Sequence, residues 1–141
     1  MNNNTVNILL VEDDEIDIMN VQRAFKKNKI NNPLSIAHDG VEALELLQDL
    51  RKNNIPLPRI ILLDLNMPRM GGIEFLQKIR KDNFLKTISV FVMTTSNEDR
   101  DKIEAYNLNV AGYILKPLSM ERFIEAVSTL KNYWQLCEFP S

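Results

Sequence analysis

Apolar residues along this chain fall in short unbroken runs, separated by longer stretches in which they recur every three or four positions. "VNILLV" (Val6–Val11), "RIILLDL" (Arg59–Leu65) and "ISVFVMT" (Ile88–Thr94) are continuous enough to be strands buried on both faces, with "PLSIAHD" (Pro33–Asp39) and "AGYILK" (Ala111–Lys116) as weaker partners. Between them the spacing is helical: Ile18, Val21 and Phe25; Val41, Leu44 and Leu47; Ile73, Leu76 and Ile79. A more polar helix begins near Asn97, with its first core contact at Ile103. The last helix carries Met120, Phe123, Ile124, Val127 and Leu130 on one stripe, with Ser119 as its N-cap. Strand and helix thus alternate five times, which predicts an α/β fold with a parallel sheet covered on both faces and right-handed crossovers. "RKNNIPLPR" (Arg51–Arg59) is expected to be the loop between the second helix and the third strand.

In an open parallel sheet, ligands bind beyond the carboxyl ends of the strands. The first strand ends in Glu12, Asp13 and Asp14, and the third in Asp64, followed by "LNMPRMGG". The fourth ends in Thr94, Thr95 and Ser96, and the fifth in Lys116, followed by Pro117. Clustered carboxylates repel one another unless a positive charge separates them. Their hard oxygens suit Mg²⁺, a remaining carboxylate can act as a nucleophile toward phosphorus, and phosphoryl transfer needs positioning and charge neutralisation. Taken singly, each residue has a plainer role: Asp64 as the start of an Asx-turn, Thr94 as a strand-end hydroxyl, Lys116 as a solvated cation. Four strand ends together favour the phosphoryl-transfer reading. Asp14 and Asp17 are assigned instead to a box-like cap on the first helix, and Glu15 to solvent. His38 is read as a structural strand-end histidine.

Composition narrows the function. With 141 residues the chain fits one domain, and a formal net charge of -2 offers no basic surplus for nucleic acid. No apolar run approaches the ~20 residues that cross a bilayer, and "MNNNTVN" is no secretory signal. The lone Cys137 forms no internal disulfide or multi-cysteine metal site. A soluble cytoplasmic protein is expected.

At this point "ILLVEDDE", "IILLDLNMPRMGG", "VFVMTTS" and "GYILKP" resemble, in order and spacing, the motifs of the receiver domain of two-component response regulators. The resemblance covers about Val6 to Lys131 and implies a CheY-like, flavodoxin-like (βα)5 sandwich with strand order 2-1-3-4-5. It implies that Asp64 is the phosphoacceptor, charged by a histidine kinase or histidine phosphotransfer protein. It further implies that Glu12 and Asp13 are the acidic pair for Mg²⁺, with Asp13 the direct ligand beside Asp64 and the backbone carbonyl of Asn66. Thr94 matches the switch hydroxyl, Tyr113 the aromatic that moves with it, Lys116 the phosphate-pairing lysine, and Pro117 a cis-proline that aims it. The expected domain covers residues 5–132, followed by an aromatic tail, 133–141, and the loop and tail resemble stand-alone receivers partnered with phytochrome-type kinases. Such a protein signals by phosphorylation-dependent protein contacts and is no enzyme beyond its own phosphorylation and dephosphorylation. A phosphate sink or shuttle in a relay is the alternative. An aspartyl phosphatase fits less well, since Asn66 stands where its general acid would be, and a flavin carrier would need a phosphate-cradling loop where Glu12 and Asp13 stand. The tail (Tyr133, Trp134, Leu136 and Phe139) either folds back on the core or serves a homodimer through the face of the fourth helix, fifth strand and fifth helix.

Overall fold

A computed structural model of the chain describes residues 6–65, 70–94, 102–104, 107–115 and 120–136. The strands are β1 (Ile8–Val11), β2 (Leu34–Ala37), β3 (Ile60–Asp64), β4 (Ser89–Thr94) and β5 (Gly112–Leu115). Their helices are α1 (Glu15–Lys27), α2 (Gly40–Lys52), α3 (Gly72–Lys81) and a C-terminal helix (Met120–Leu136). Residues 102–104 are also helical, and Ile103 is buried, as its place in the sequence predicted. All strands are parallel and lie in the order β2-β1-β3-β4-β5. This is the flavodoxin-like order expected from the sequence.

Period-two alternation divides the buried strand residues between two layers. Leu9, Val11, Ile61, Leu63, Val90 and Val92 face α2 and α3, meeting Ala43, Leu47, Phe75, Leu76 and Ile79. Ile8, Leu10, Ile60, Leu62 and Met93 face α1 and the C-terminal helix, meeting Ile18, Val21, Ala24, Phe25, Val127 and Leu130. Of the stripe expected on the last helix, Val127 and Leu130 are buried and Ile124 packs against them; the side chains of Met120 and Phe123 lie outside those described.

Boundaries differ from expectation in two places. The helical pattern of α2 takes in Arg51 and Lys52, so the following loop starts later than "RKNNIPLPR" suggested. The last helix continues to Leu136, past the expected domain end at 132, because "KNYWQL" contains no glycine or proline to stop it. Tyr133–Leu136 are therefore helical backbone rather than a tail; Ser119, Cys137 and Phe139 lie outside the described residues.

One tie was not visible in the sequence. Arg80, in the last turn of α3, donates from Nε to the Leu108 carbonyl at 2.8 Å and from Nη2 to that of Asn109 at 2.7 Å. Its Nη1 donates to the carbonyls of Lys86 and Ile88, each at 2.9 Å. Burial lowers the pKa of this guanidinium from its ordinary value. One planar fork thus holds three chain segments at the end of the molecule remote from the acidic strand ends.

Candidate metal and phosphoryl-transfer site

Strand register builds the acidic site. Leu10 pairs with Leu62 and Val11 with Leu63, so the same register carried one step further sets Glu12 beside Asp64. The Glu12 amide prolongs the sheet by donating to the Ala37 carbonyl at 2.9 Å. Glu12 is 0% and Asp64 3% exposed, whereas Asp13 is exposed. One carboxylate oxygen from each of Glu12, Asp13 and Asp64 lies within 4.8 Å of the others. The structure therefore brings together the acidic residues singled out from the sequence.

Backbone packing fixes this edge from below. The Gly72 amide donates to the Leu65 carbonyl at 3.2 Å, and Leu65 in turn donates to Met93 O at 3.2 Å. A Cβ on Gly72 would stand 2.6 Å from the Leu65 Cα and 2.8 Å from the Asp64 carbonyl oxygen, so α3 can begin this close to β3 only without a side chain. A second close approach occurs at Gly40, where an added Cβ would meet the Met70 side chain at 2.8 Å. The tight role of these glycines was missed from sequence; the "GG" after "MPRM" was the available signal.

The helix cap divides the acidic run as expected, with one change. Asp14 Oδ1 accepts from the amides of Ile16 at 2.8 Å and Asp17 at 3.2 Å, capping α1. The Asp14 amide itself donates to Glu12 Oε2 at 3.3 Å, so Glu12 supplies a return bond of the kind assigned to Asp17. The start of α1 also presents the positive end of its peptide dipoles toward this edge, which eases the crowding of carboxylates.

Thr94 ends β4 and is fully buried. Tyr113 lies on β5 paired with Val92, two residues before the Leu115 that pairs with Thr94. By alternation Tyr113 and Thr94 share one side of the sheet, and Tyr113 packs half-buried against the core beneath α2 and α3. Asn66, Lys116 and Pro117 fall outside the described residues. His38 links two helix starts, with Nδ1 3.1 Å from Glu42 Oε1 and Nε2 3.5 Å from Glu15 Oε1. It thus has the structural part given to it, and Glu15, though exposed, is not purely solvated.

Three carboxylates this close repel unless a cation lies among them, and their donor set of hard oxygens fits a divalent ion such as Mg²⁺. The exposed Asp13 leaves the site open to solvent.

Comparison with known proteins agrees with this arrangement. Residues 8–128 match the family model for the response regulator receiver domain. The chain is 39% identical over 127 residues to the probable methanogenesis regulatory protein FilR2 of Methanothrix harundinacea, covering 90% of this chain and 82% of that one. The crystal structure of the phosphorylated cyanobacterial phytochrome response regulator RcpA superposes with a TM-score of 0.83 at 33% identity, covering 96% of this chain and 99% of that one. The Mn²⁺-bound form of the response regulator Rcp1, a protein of Synechocystis, gives a TM-score of 0.81 at 36% identity over 96% and 99%. The register-built acidic edge, the strand order and these similarities lead to one conclusion: the chain belongs to the response regulator receiver domain family, and resembles its phytochrome-associated members.

Proposed function

We infer that the chain is a phosphorylation-dependent signalling receiver in which Asp64 accepts a phosphoryl group in a Mg²⁺-dependent reaction. The convergence of Glu12, Asp13 and Asp64 within 4.8 Å at the carboxyl edge of the sheet carries this reading. Asp13, Asp64 and the Asn66 carbonyl are the proposed protein ligands, with Glu12 completing the acidic pair. A bound Mg²⁺ neutralises charge on the phosphoryl oxygens. An Asp64 carboxylate oxygen attacks phosphorus; the new O–P bond forms as the bond from phosphorus to the donor breaks, and the donor leaves with that electron pair. Lys116 pairs with the transferred group, and the Thr94 hydroxyl donates a hydrogen bond to it. Movement of Thr94 frees room on the shared side of the sheet for the Tyr113 ring, and the altered surface is what partners read.

A histidine kinase or histidine phosphotransfer protein is the proposed donor. Ile16 and Met19, 68% and 53% exposed and three residues apart on α1, offer it an apolar foothold beside the acidic edge. The phosphorylated RcpA and the Mn²⁺-bound Rcp1 lend support by likeness. A homodimer through the face of the fourth helix, β5 and the C-terminal helix, together with the C-terminal tail, is proposed as part of the same reading.

Incubation with acetyl phosphate and Mg²⁺ tests it. An acid-stable, base-labile adduct detected by mass is expected on the wild type and absent from Asp64→Asn. An unmodified wild type, or an undiminished adduct on the variant, would sink the assignment.

A further inference from the structure

At the edge of the sheet opposite the acidic site, the end of α2 and the connection from α3 to β4 line an open cleft of about 600 Å³. Its walls include Arg51, Lys52, Ile55, Leu57 and Phe84. Phe84 is 63% and Ile55 49% exposed, so two large apolar side chains face one opening. Exposed apolar residues are ordinary when scattered, but these converge.

The exposed ring is also held in place. One oxygen of Asp82, Oδ1, accepts from the amides of Phe84 at 2.7 Å and Leu85 at 3.1 Å. The other, Oδ2, accepts from Arg51 Nη1 at 3.2 Å. The Arg51 guanidinium then lies 4.0 Å from the centre of the Phe84 ring. Asp82, Arg51 and Phe84 thus close a loop of contacts that fixes an aromatic and an arginine at the surface before anything binds. Aromatic and arginine side chains held this way are the usual anchors of protein interfaces, and fixing them beforehand lowers the entropy lost on binding.

Charge selects the occupant. The chain as a whole is at -2, yet the cleft carries the ammonium of Lys52 beside Arg51, whose charge is matched by Asp82, and no carboxylate is among the described lining residues. We propose that this cleft is a docking site for an acidic segment of a partner protein, which places an apolar side chain against Phe84 and Ile55 and a carboxylate beside Lys52. Docking here leaves the acidic edge open, so a partner can be held while Asp64 is charged and discharged.

Selection of random twelve-residue peptides displayed on phage, against the full chain, tests the proposal. Enriched peptides should carry an aromatic or aliphatic residue flanked by Asp or Glu. Their consensus peptide should lose at least tenfold in affinity with Phe84→Ala and with Lys52→Glu, keep it with Lys52→Arg, and weaken as salt is raised. Both sites are at the surface, and an unchanged acetyl-phosphate adduct on Asp64 serves as the check that each variant is folded. Three results would overturn the proposal: no enrichment over Phe84→Ala protein, enriched peptides indifferent to Lys52→Glu, or self-association of the wild type that Phe84→Ala abolishes. In the last case a second copy of the chain is the occupant.

Discussion

Adjacent glycines after β3 have very different environments. A Cβ on Gly72 would press into Leu65 and the Asp64 carbonyl at 2.6 and 2.8 Å, whereas one on Gly71 would find nothing nearer than the Leu65 oxygen at 3.8 Å. Gly72→Ala should destabilise the chain by about 2 kcal/mol and slow adduct formation from acetyl phosphate, because relief of the clash moves the end of β3. Gly71→Ala should leave both within error; equal behaviour of the two would refute this account of the β3–α3 junction. Arg80 is the other residue on which much rests. Replacing it with methionine keeps the stem but leaves the carbonyls of Lys86, Ile88, Leu108 and Asn109 without their donor. A loss of about 3 kcal/mol is expected in urea unfolding, seen as a lower midpoint at unchanged slope. A loss under about 1 kcal/mol would mean that water replaces the guanidinium readily.

Among the elements, α1 and α2 end alike. After α1 the amide of Lys29 donates to Lys26 O and that of Ile30 to Phe25 O; after α2 the amide of Asn54 donates to Arg51 O and that of Ile55 to Leu50 O. Both are Schellman endings, which need a left-handed residue, and the chain supplies Lys29 at φ 56° and Asn54 at φ 57° instead of glycine. Lysine is the poorer choice, so Lys29→Gly should stabilise the protein by about 1 kcal/mol in thermal or urea unfolding, and Asn54→Gly by less. No gain at Lys29 would show that the lost entropy of the unfolded glycine chain cancels the relief.

The strands were legible at this scale because both sheet faces are buried, which makes their apolar runs continuous. Glu12, Asp13, Asp64 and Thr94 were legible because a parallel sheet brings all carboxyl ends to one edge. The Arg80 fork was not: its partners are backbone carbonyls, which every residue has, and one of them is on Leu108, far along the chain. Nor was the Asp82–Arg51–Phe84 loop, since a polar residue between a helix and a strand gives no hint of which side chain it will meet. The overrun of the last helix to Leu136 was missed because aromatic residues near a chain end resemble a packing tail as readily as a further turn of helix.

For the whole molecule, an ion that binds only the folded chain must stabilise it. At Mg²⁺ a hundredfold above its dissociation constant the gain is about 2.7 kcal/mol, roughly 8 °C in Tm for a chain of this size. Differential scanning calorimetry should show that shift for the wild type and none for a Glu12→Gln, Asp13→Asn double variant. A shift that survives in the double variant would place the ion elsewhere. Without Mg²⁺ the double variant should be at least as stable as the wild type, since it removes like charges crowded within 4.8 Å.

The carboxylates that meet at the edge come from β1 and β3, strands adjacent in the sheet but separated in sequence by α1, β2 and α2. The β1–β3 register, in which Ile8 to Val11 pair with Ile60 to Leu63, aligns them. A slip of a single residue would turn Asp64 to the other face of the sheet. Affinity for a divalent ion is therefore a gauge of strand alignment, and a nascent or refolding chain can acquire it only once its third strand has found the correct neighbour.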